Sequence, residues 1–418
     1  MPEPLTGYTV IEMGTAIQGP AAGVYLADMG AEVIKIEPPI GDASRFHRGV
    51  NNNTPPETPG SMFTAGNRGK RSVCLDAKTD AGLEVVRSLI KDADVFMSNY
   101  RAPFLNRLGL DYETLSELNP GLVYAVVNGF GPIGPDADKP MVEGAVQARG
   151  GLASVTGPAD GLPTPPGATI ADGAGAMQFA LGIVTALLAR ERYGVGQKMA
   201  TSSLGAQFWL QSWEIQHYLM TGKPLSRAGS HMPNIRGPWG VYAASDGGEF
   251  LFALVDDDDW TDFFDFGGLP EAGRNPLWDD GIKRMGATPE EQDEASVIKL
   301  RHEMKKAFAN RTSDEWKEFF NNHPEMIVQK VQNHAEVVDD LQSIANEYVV
   351  PMTFDGIGES RVVGNQIQLS KTPGSVKRPP PRLGQDTRDV MQRLGYSNDE
   401  ITSIESHTAE IRKAVFGE

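Results

Sequence analysis

Cysteine is almost missing from this sequence. The single Cys74, in the strand-like "RSVCLD", cannot close an intramolecular disulfide, which fits a reducing compartment and an expected cytoplasmic location. Histidine is sparse as well: seven residues, with no H-E-x-x-H and no paired-cysteine spacing, so no metal site is expected. No G-x-S-x-G elbow is present to carry a nucleophilic serine. Positive charge is short, 38 Lys and Arg against 55 Asp and Glu. The net charge of -17 repels polyanions, so nucleic acid is excluded as a partner and an anionic ligand needs a local basic patch. Long apolar runs are lacking too. The most apolar window, residues 174–189, is shorter than a bilayer span and flanked by Asp172 and Arg190; it reads as a buried helix, with no membrane partner. The first residues, "MPEPLTGYTVIEMG", lack a basic region ahead of an apolar one, so secretion is not expected.

What is present is an ordinary globular composition, 40% hydrophobic and 22% charged, over 418 residues, a length that predicts two domains. "YTVIEMG" is β-rich, Pro20 suits a first helical turn, Gly30 its end, and "AEVIKIE" a second strand, which makes a βαβ unit. "RSVCLD", "AGLEVVRSLIKD" with Leu83, Val86 and Ile90 on one face, "ADVFMSN" and "LVYAVVNGF" continue the alternation. The predicted fold class is therefore α/β, a doubly wound, Rossmann-like parallel sheet. The Asn- and Pro-rich "GVNNNTPPETPG" between the second and third strands reads as a mobile or site-covering loop. Past residue 225 the texture changes to short strands and acidic helices, a smaller α+β domain over 225–330. Phe208, Trp209, Trp213 and Tyr218 read as core or subunit contact. A pocket lined by Trp209, Trp213, Trp239 and Trp260 is the alternative for the tryptophans.

Gly14, Gly19 and Gly23 follow the first strand at spacings that do not match G-x-G-x-x-G, which argues against a dinucleotide site and hydride transfer. Arg68, Lys70 and Arg71 in "NRGKRS", with Arg101 and Arg107, form a basic cluster that serves either an anionic ligand or the solvated surface. Asp172 heads the apolar helix and reads locally as its N-cap. Gly173 and Gly175 follow it at a cost in helix stability that lets a group approach the backbone.

Six collinear stretches, "GPAAGVYLADMGAEVIKIEPPIGD", "NRGKRSVCLD", "GLDYETLSELNPGLVYAVVNGFG", "VQARGGLASVTG", "ADGAGAMQFALGIVTALLARERYGVGQ" and "PRLGQDTRDVMQRLGYSNDEI", span nearly the whole chain. Together they resemble the family III CoA-transferases, the group of formyl-CoA, carnitine and aryl-lactate CoA-transferases, with the α-methylacyl-CoA racemases as relatives. The resemblance implies that Asp172 is a nucleophile forming a mixed anhydride and then an aspartyl-CoA thioester. A helix N-terminus favours the ionised carboxylate this needs, so capping and nucleophilic roles are compatible.

Carried over position by position, the resemblance places CoA contacts at Lys78, Asn99, Tyr100, Arg101 and Arg107, and an acidic group near the thioester at Glu143. It makes "AGSHMPNIRGPWG", residues 228–240 with Gly229 and Gly237, the substrate loop. The family's catalytic Gln position holds Ile17 here, which leaves the adjacent Gln18 as candidate oxyanion contact. Pro38 stands where some relatives carry an adenine-stacking Arg. Val142-Glu143 replaces the His-Asp pair of the racemases, which removes their acid–base couple. The coenzyme A thioester is a substrate, and no permanently bound cofactor is implied. The partners implied are an acyl-CoA, a carboxylic acid and a second copy of the chain, interlocked with the first. The implied layout is a large CoA-binding domain begun by 1–205, a linker helix at 206–224, the small domain at 225–330, and a return to the large domain by 331–418. Two alternatives stand beside transfer between acids: an acyl-CoA racemase, isomerase or intramolecular CoA transfer, and a non-catalytic CoA-binding protein.

Overall fold

The computed structural model describes residues 1–49, 59–254, 256–285, 294–355 and 357–417. The Asn- and Pro-rich loop thus lies, from 50 to 58, outside the described residues. The chain begins β1 (Thr9–Met13), α1 (Gln18–Asp28), β2 (Glu32–Glu37), α2 (Ser61–Asn67), β3 (Arg71–Cys74), α3 (Asp80–Lys91), β4 (Val95–Ser98). It continues α4 (Ala102–Arg107), α5 (Tyr112–Leu118), β5 (Val123–Asn128), α6 (Glu143–Arg149), α7 (Leu152–Val155), α8 (Ile170–Tyr193), β6 (Gln197–Ser202), α9 (Ser203–Leu210) and α10 (Ser212–Thr221).

Two compact units result. The first gathers Met1–Gly150, Ala168–Leu210 and Val338–Glu418; the second gathers Gly151–Gly167 and Gln211–Val337. Residues 151–167, placed by sequence in the large domain, cluster with the second unit because the Arg227 guanidinium donates to the carbonyls of Pro158 (3.1 Å) and Gly161 (2.7 Å). The expected single linker helix over 206–224 is two helices, α9 and α10, separated at Gln211.

The first unit is built on six parallel strands in the order β3-β2-β1-β4-β5-β6. It is α/β and doubly wound, as the alternating pattern predicts. Strands buried on both faces read as apolar runs, and β1 and β4 expose almost nothing. One face carries α3, α5 and the C-terminal helices Thr387–Arg393 and Asn398–Phe416, with Val85, Val86, Leu89, Ile90, Ile401 and Ile404 in their core. The other carries α1 and α8, whose small residues allow close approach: a Cβ on Gly23 of α1 would lie 2.2 Å from Glu12 Oε2 of β1. Among the described residues α8 alone is long and apolar enough to match a membrane span. One face of it packs Ala176, Phe179, Ile183 and Leu187 into this core. A hairpin of β10 (Val349–Phe354) and β11 (Gly358–Val363) belongs to the same unit.

The second unit is α+β. Antiparallel β7 (Gly240–Ala243), β8 (Glu249–Leu254) and β9 (Ile327–Lys330) pack against helices through an aromatic core that includes Phe252, Trp260, Phe263, Phe308 and Trp316. Trp260 is buried in that core with 1% exposure, so the core reading holds for this residue. Phe208, Trp209, Trp213 and Tyr218 are exposed on this chain, so the core half of their reading fails.

Candidate active site

In a doubly wound sheet the crevice opens beyond the strand C-termini where strand order reverses, here between β1 and β4. A cleft of about 440 Å³ lies there. Its walls are Thr15, Ala16, Ile17 and Gln18 after β1, Asn99 and Arg101 after β4, Asn128 and Gly129 at the end of β5, and then Lys139, Met141, Glu143 and Asp172.

Asp172 is not the N-cap of its helix. That position is Thr169, without a side-chain cap, and Asp172 is the third helical residue. The capping is done by Glu143 from the start of α6: its carboxylate accepts the N–H groups of Ala171 (2.8 Å) and Asp172 (2.7 Å). Gln147 Nε2 donates to the same carboxylate at 2.6 Å and fixes it. The helix N–H groups expected to stabilise an Asp172 anion are therefore spent on Glu143. Burial, with the Glu143 charge second, pushes the Asp172 carboxyl up to about 6. Its own oxygens have no hydrogen-bond partner among the described residues.

Gln18 opens α1 and is buried, donating from Nε2 to Ser203 Oγ at 2.7 Å. Its amide lies over α8 where a Cβ on Gly175 would come within 2.2 Å of Nε2, whereas a Cβ on Gly173 would meet nothing within 4 Å. Of the two glycines that follow Asp172, one makes room for Gln18 and the other faces open space.

The proposed CoA contacts divide. Asn99 lines the cleft, but both ends of its amide are occupied by Thr15, accepting from the N–H (2.9 Å) and donating to the carbonyl (2.8 Å). Arg101, exposed at the start of α4, lines both the cleft and an adjoining pocket of about 170 Å³, and has no ion-pair partner among the described residues. Tyr100 lines that second pocket; burial pushes its phenol up to about 12. Lys78 and Arg107 are exposed and outside the cleft lining. Gly229 and Gly237 lie in the second unit, both with positive φ, 65° and 90°. Their loop is closed by a bridge between His231 and Gly240 and tied by Arg301 Nε to the Gly237 carbonyl (2.8 Å). Burial, then the Arg301 charge, pushes His231 down to about 4.

The basic cluster at "NRGKRS" is corrected: its cations are used internally. Arg68 pairs with Asp28 at 2.7 Å, Lys70 with Glu12 at 2.6 Å, and Arg71 with Glu32 at 2.8 Å. Lys70 belongs to a buried network beneath the cleft that sequence reasoning missed. Lys35 Nζ reaches Glu12 and Asp42, each at 2.9 Å, with side chains 1% exposed or less. Burial, then the Lys35 charge, holds Lys70 down at about 8 despite Glu12. For Asp42, burial works against ionisation, but Lys35 and the Ser44 hydrogen bonds outweigh it and hold the carboxyl below its ordinary value. A signal existed: Glu12 and Lys35 are charges inside "TVIEM" and "EVIKIE", strands whose place in a parallel sheet leaves no exposed face. As for metal ligands, among the described residues Asp259, Asp262 and His323 of the second unit bring three possible donor atoms within 4.8 Å of one another, with Asp262 exposed.

The family model for CoA-transferase family III matches residues 5–387. The chain is 30% identical over 410 residues to succinyl-CoA–D-citramalate CoA-transferase of Chloroflexus aurantiacus, covering 97% of this chain and 98% of that one. It is 30% identical over 422 residues to formyl-CoA:oxalate CoA-transferase of Streptomyces avermitilis, with coverage of 97% and 99%. Among solved structures it is similar to a CaiB/BaiF family protein from Brucella suis, with a TM-score of 0.80 and 28% identity over 94% of this chain and 100% of the other.

Proposed function

Since the chain belongs to CoA-transferase family III, we propose that it moves CoA from an acyl-CoA to a free carboxylic acid through covalent intermediates on Asp172. The observation that carries this reading is the cleft itself: a half-buried carboxylate at the sheet's switch point, free of hydrogen-bond partners and seated on a helix end that Glu143 holds from outside.

The Asp172 carboxylate attacks the donor's thioester carbonyl; the C–S bond breaks, leaving an acyl-aspartyl anhydride and CoA thiolate. The thiolate then attacks the aspartyl carbonyl, the donor acid leaves as carboxylate, and an aspartyl-CoA thioester remains. The acceptor carboxylate reverses the sequence and takes the CoA. An acid held near 6 is mostly ionised at neutral pH, yet poorly solvated and so more nucleophilic than an exposed one. Gln18 has one Nε2 hydrogen committed to Ser203; the other serves the oxyanion that forms at each attack. Glu143 keeps Asp172 in register by holding the first turn of α8.

Arg101 offers an unpaired cation to a CoA phosphate, and the resemblance adds Lys78, Arg107, Asn99 and Tyr100 to that surface. The loop carrying Gly229 and Gly237 is the substrate loop in this reading. CoA enters and leaves as a substrate, with no resident cofactor proposed. Two copies of the chain interlock in this reading; the exposed apolar side chains of α8 and α9 support their association, however the chains are threaded. The lone buried Cys74 supports a cytoplasmic setting.

The test is peptide mass spectrometry of wild type and Asp172→Asn incubated with succinyl-CoA or formyl-CoA, then quenched with hydroxylamine. Hydroxamate confined to the peptide holding Asp172, and absent from the variant, is expected. CoA binding with no modification by any donor overturns the covalent mechanism. Turnover without a free acid acceptor favours isomerisation or intramolecular transfer.

A further inference from the structure

We propose that Asp42, which does not line the cleft, is a positioning residue for the transfer. Through Thr15 and Ala16 it fixes the turn from which α1, and with it Gln18, enters the site. The inference rests on the reading of Asp172 as nucleophile.

The turn between β1 and α1 is held from three sides. Asn99 accepts the Thr15 N–H at 2.9 Å and donates to the Thr15 carbonyl at 2.8 Å. Asp42 Oδ1 accepts the Thr15 hydroxyl at 2.9 Å and the Ala16 N–H at 3.1 Å. Lys35 Nζ donates to the Gly14 carbonyl at 2.9 Å, and pairs with Asp42 Oδ2 at 2.9 Å. Every backbone and side-chain polar group of Thr15 is thus bound by a side chain from another part of the fold. Asp42 is itself immobilised: its carboxylate accepts the N–H and hydroxyl of Ser44, each at 2.8 Å, and its N–H donates to Glu37 at 3.0 Å.

This restraint is spent on a strained backbone. Ala16 has φ of 63°, one of only two non-glycine residues with positive φ among the described residues. A side chain pays for that conformation in steric repulsion, and it persists only where the surroundings impose it. What the turn delivers is the amino end of α1. That end presents the first N–H donors of the helix with no side-chain cap over them. A change in the turn would swing these donors and the Gln18 amide relative to Asp172, which lines the same cleft.

A mere stabilising network makes a different prediction. Asp42→Asn leaves the buried Lys35 with a weakened partner set and risks unfolding, so the turn itself carries the test through Ala16→Gly, Thr15→Val and Thr15→Ser. Glycine relieves the strain at 16 and loosens the turn; valine keeps the shape of Thr15 without its bond to Asp42; serine retains the hydroxyl. Each is assayed for CoA transfer and melting temperature beside wild type and Asp172→Asn. Ala16→Gly and Thr15→Val are expected to lose kcat by about 10- to 100-fold, with KM changed by about threefold or less and melting close to wild type. Thr15→Ser is expected to recover most of the rate. Wild-type kcat in both Ala16→Gly and Thr15→Val overturns the proposal, as does a loss of rate that merely follows a loss of melting temperature. A wild type that transfers no CoA, or transfers it without Asp172, overturns the underlying reading and this proposal together.

Discussion

Asp172 sets a conflict between stability and chemistry that one substitution can expose. Its carboxyl is raised from 3.8 to about 6 in the folded chain, by burial first and the Glu143 charge second. Between those values the native state holds a proton that the unfolded state has released. Its contribution to stability is therefore fully present below the ordinary value and is lost as pH rises through about 6. Asp172→Asn, which removes the buried charge, is expected to melt about 1–3 °C above wild type at pH 8, with the gap closing by pH 4; equal melting at both values would count against the shift. The same ionisation governs the nucleophile, so kcat/KM is expected to rise through pH 6 and then level. Glu143→Gln leaves burial as the sole cause of the shift and moves that limb to lower pH, as a pH–rate profile of the variant reads directly. Asp172 was legible as the residue of interest from its place ahead of an apolar helix. Its role as cap was misread because the helix begins at Ile170, and the cap arrives from Glu143, too distant in sequence for a local pattern to register.

The same limit operates on whole elements. Short apolar strands alternating with amphipathic helices carry their identity locally, so β1, α1, β2, α3 and β5 stand where periodicity places them and the parallel sheet follows. Pairing across the sheet is not local: Glu12 and Lys35 became partners only when β1 and β2 came into register. Arg68 and Lys70 looked available until Asp28 and Glu12 were brought to them. The glycines of α8 show how packing separates residues that sequence treats alike. Gly173→Ala meets open space in the first turn of the helix and is expected to stabilise the protein by up to about 1 kcal/mol. Gly175→Ala sets a methyl against the Gln18 amide, which is 3% exposed and cannot retreat into solvent, so the bond to Ser203 breaks and stability falls. Chemical denaturation of the two variants distinguishes them by sign; two changes of the same sign would mean that Gln18 does not rest on α8.

At the scale of the whole molecule, the charge of -17 coexists with apolar surface that a lone chain leaves wet. Met177, Leu181, Val184 and Leu188 recur along one face of α8 and are 40–67% exposed, and Phe208 and Trp209 of α9 are 55% and 72% exposed. Such a stripe on a core helix, beside the face that packs on the sheet, is the pattern of a helix covered on a second side in an assembly. The expected particle is a dimer, with a sedimentation mass of twice 45.2 kDa. Whether its chains interlock or merely dock is a separate question with a kinetic answer. Docked subunits part by dissociation, so tagged and untagged protein would exchange on mixing and dilution would yield folded monomer. Interlocked chains cannot part without at least one of them unfolding, which ties exchange to the unfolding rate. No mixed species is then expected after prolonged incubation of the two forms in buffer, whereas denaturation and refolding of the mixture would produce it. Exchange in buffer at a rate far above unfolding would leave a docked dimer, and a mass of 45.2 kDa at every concentration would leave the α8 face without a partner of its own kind.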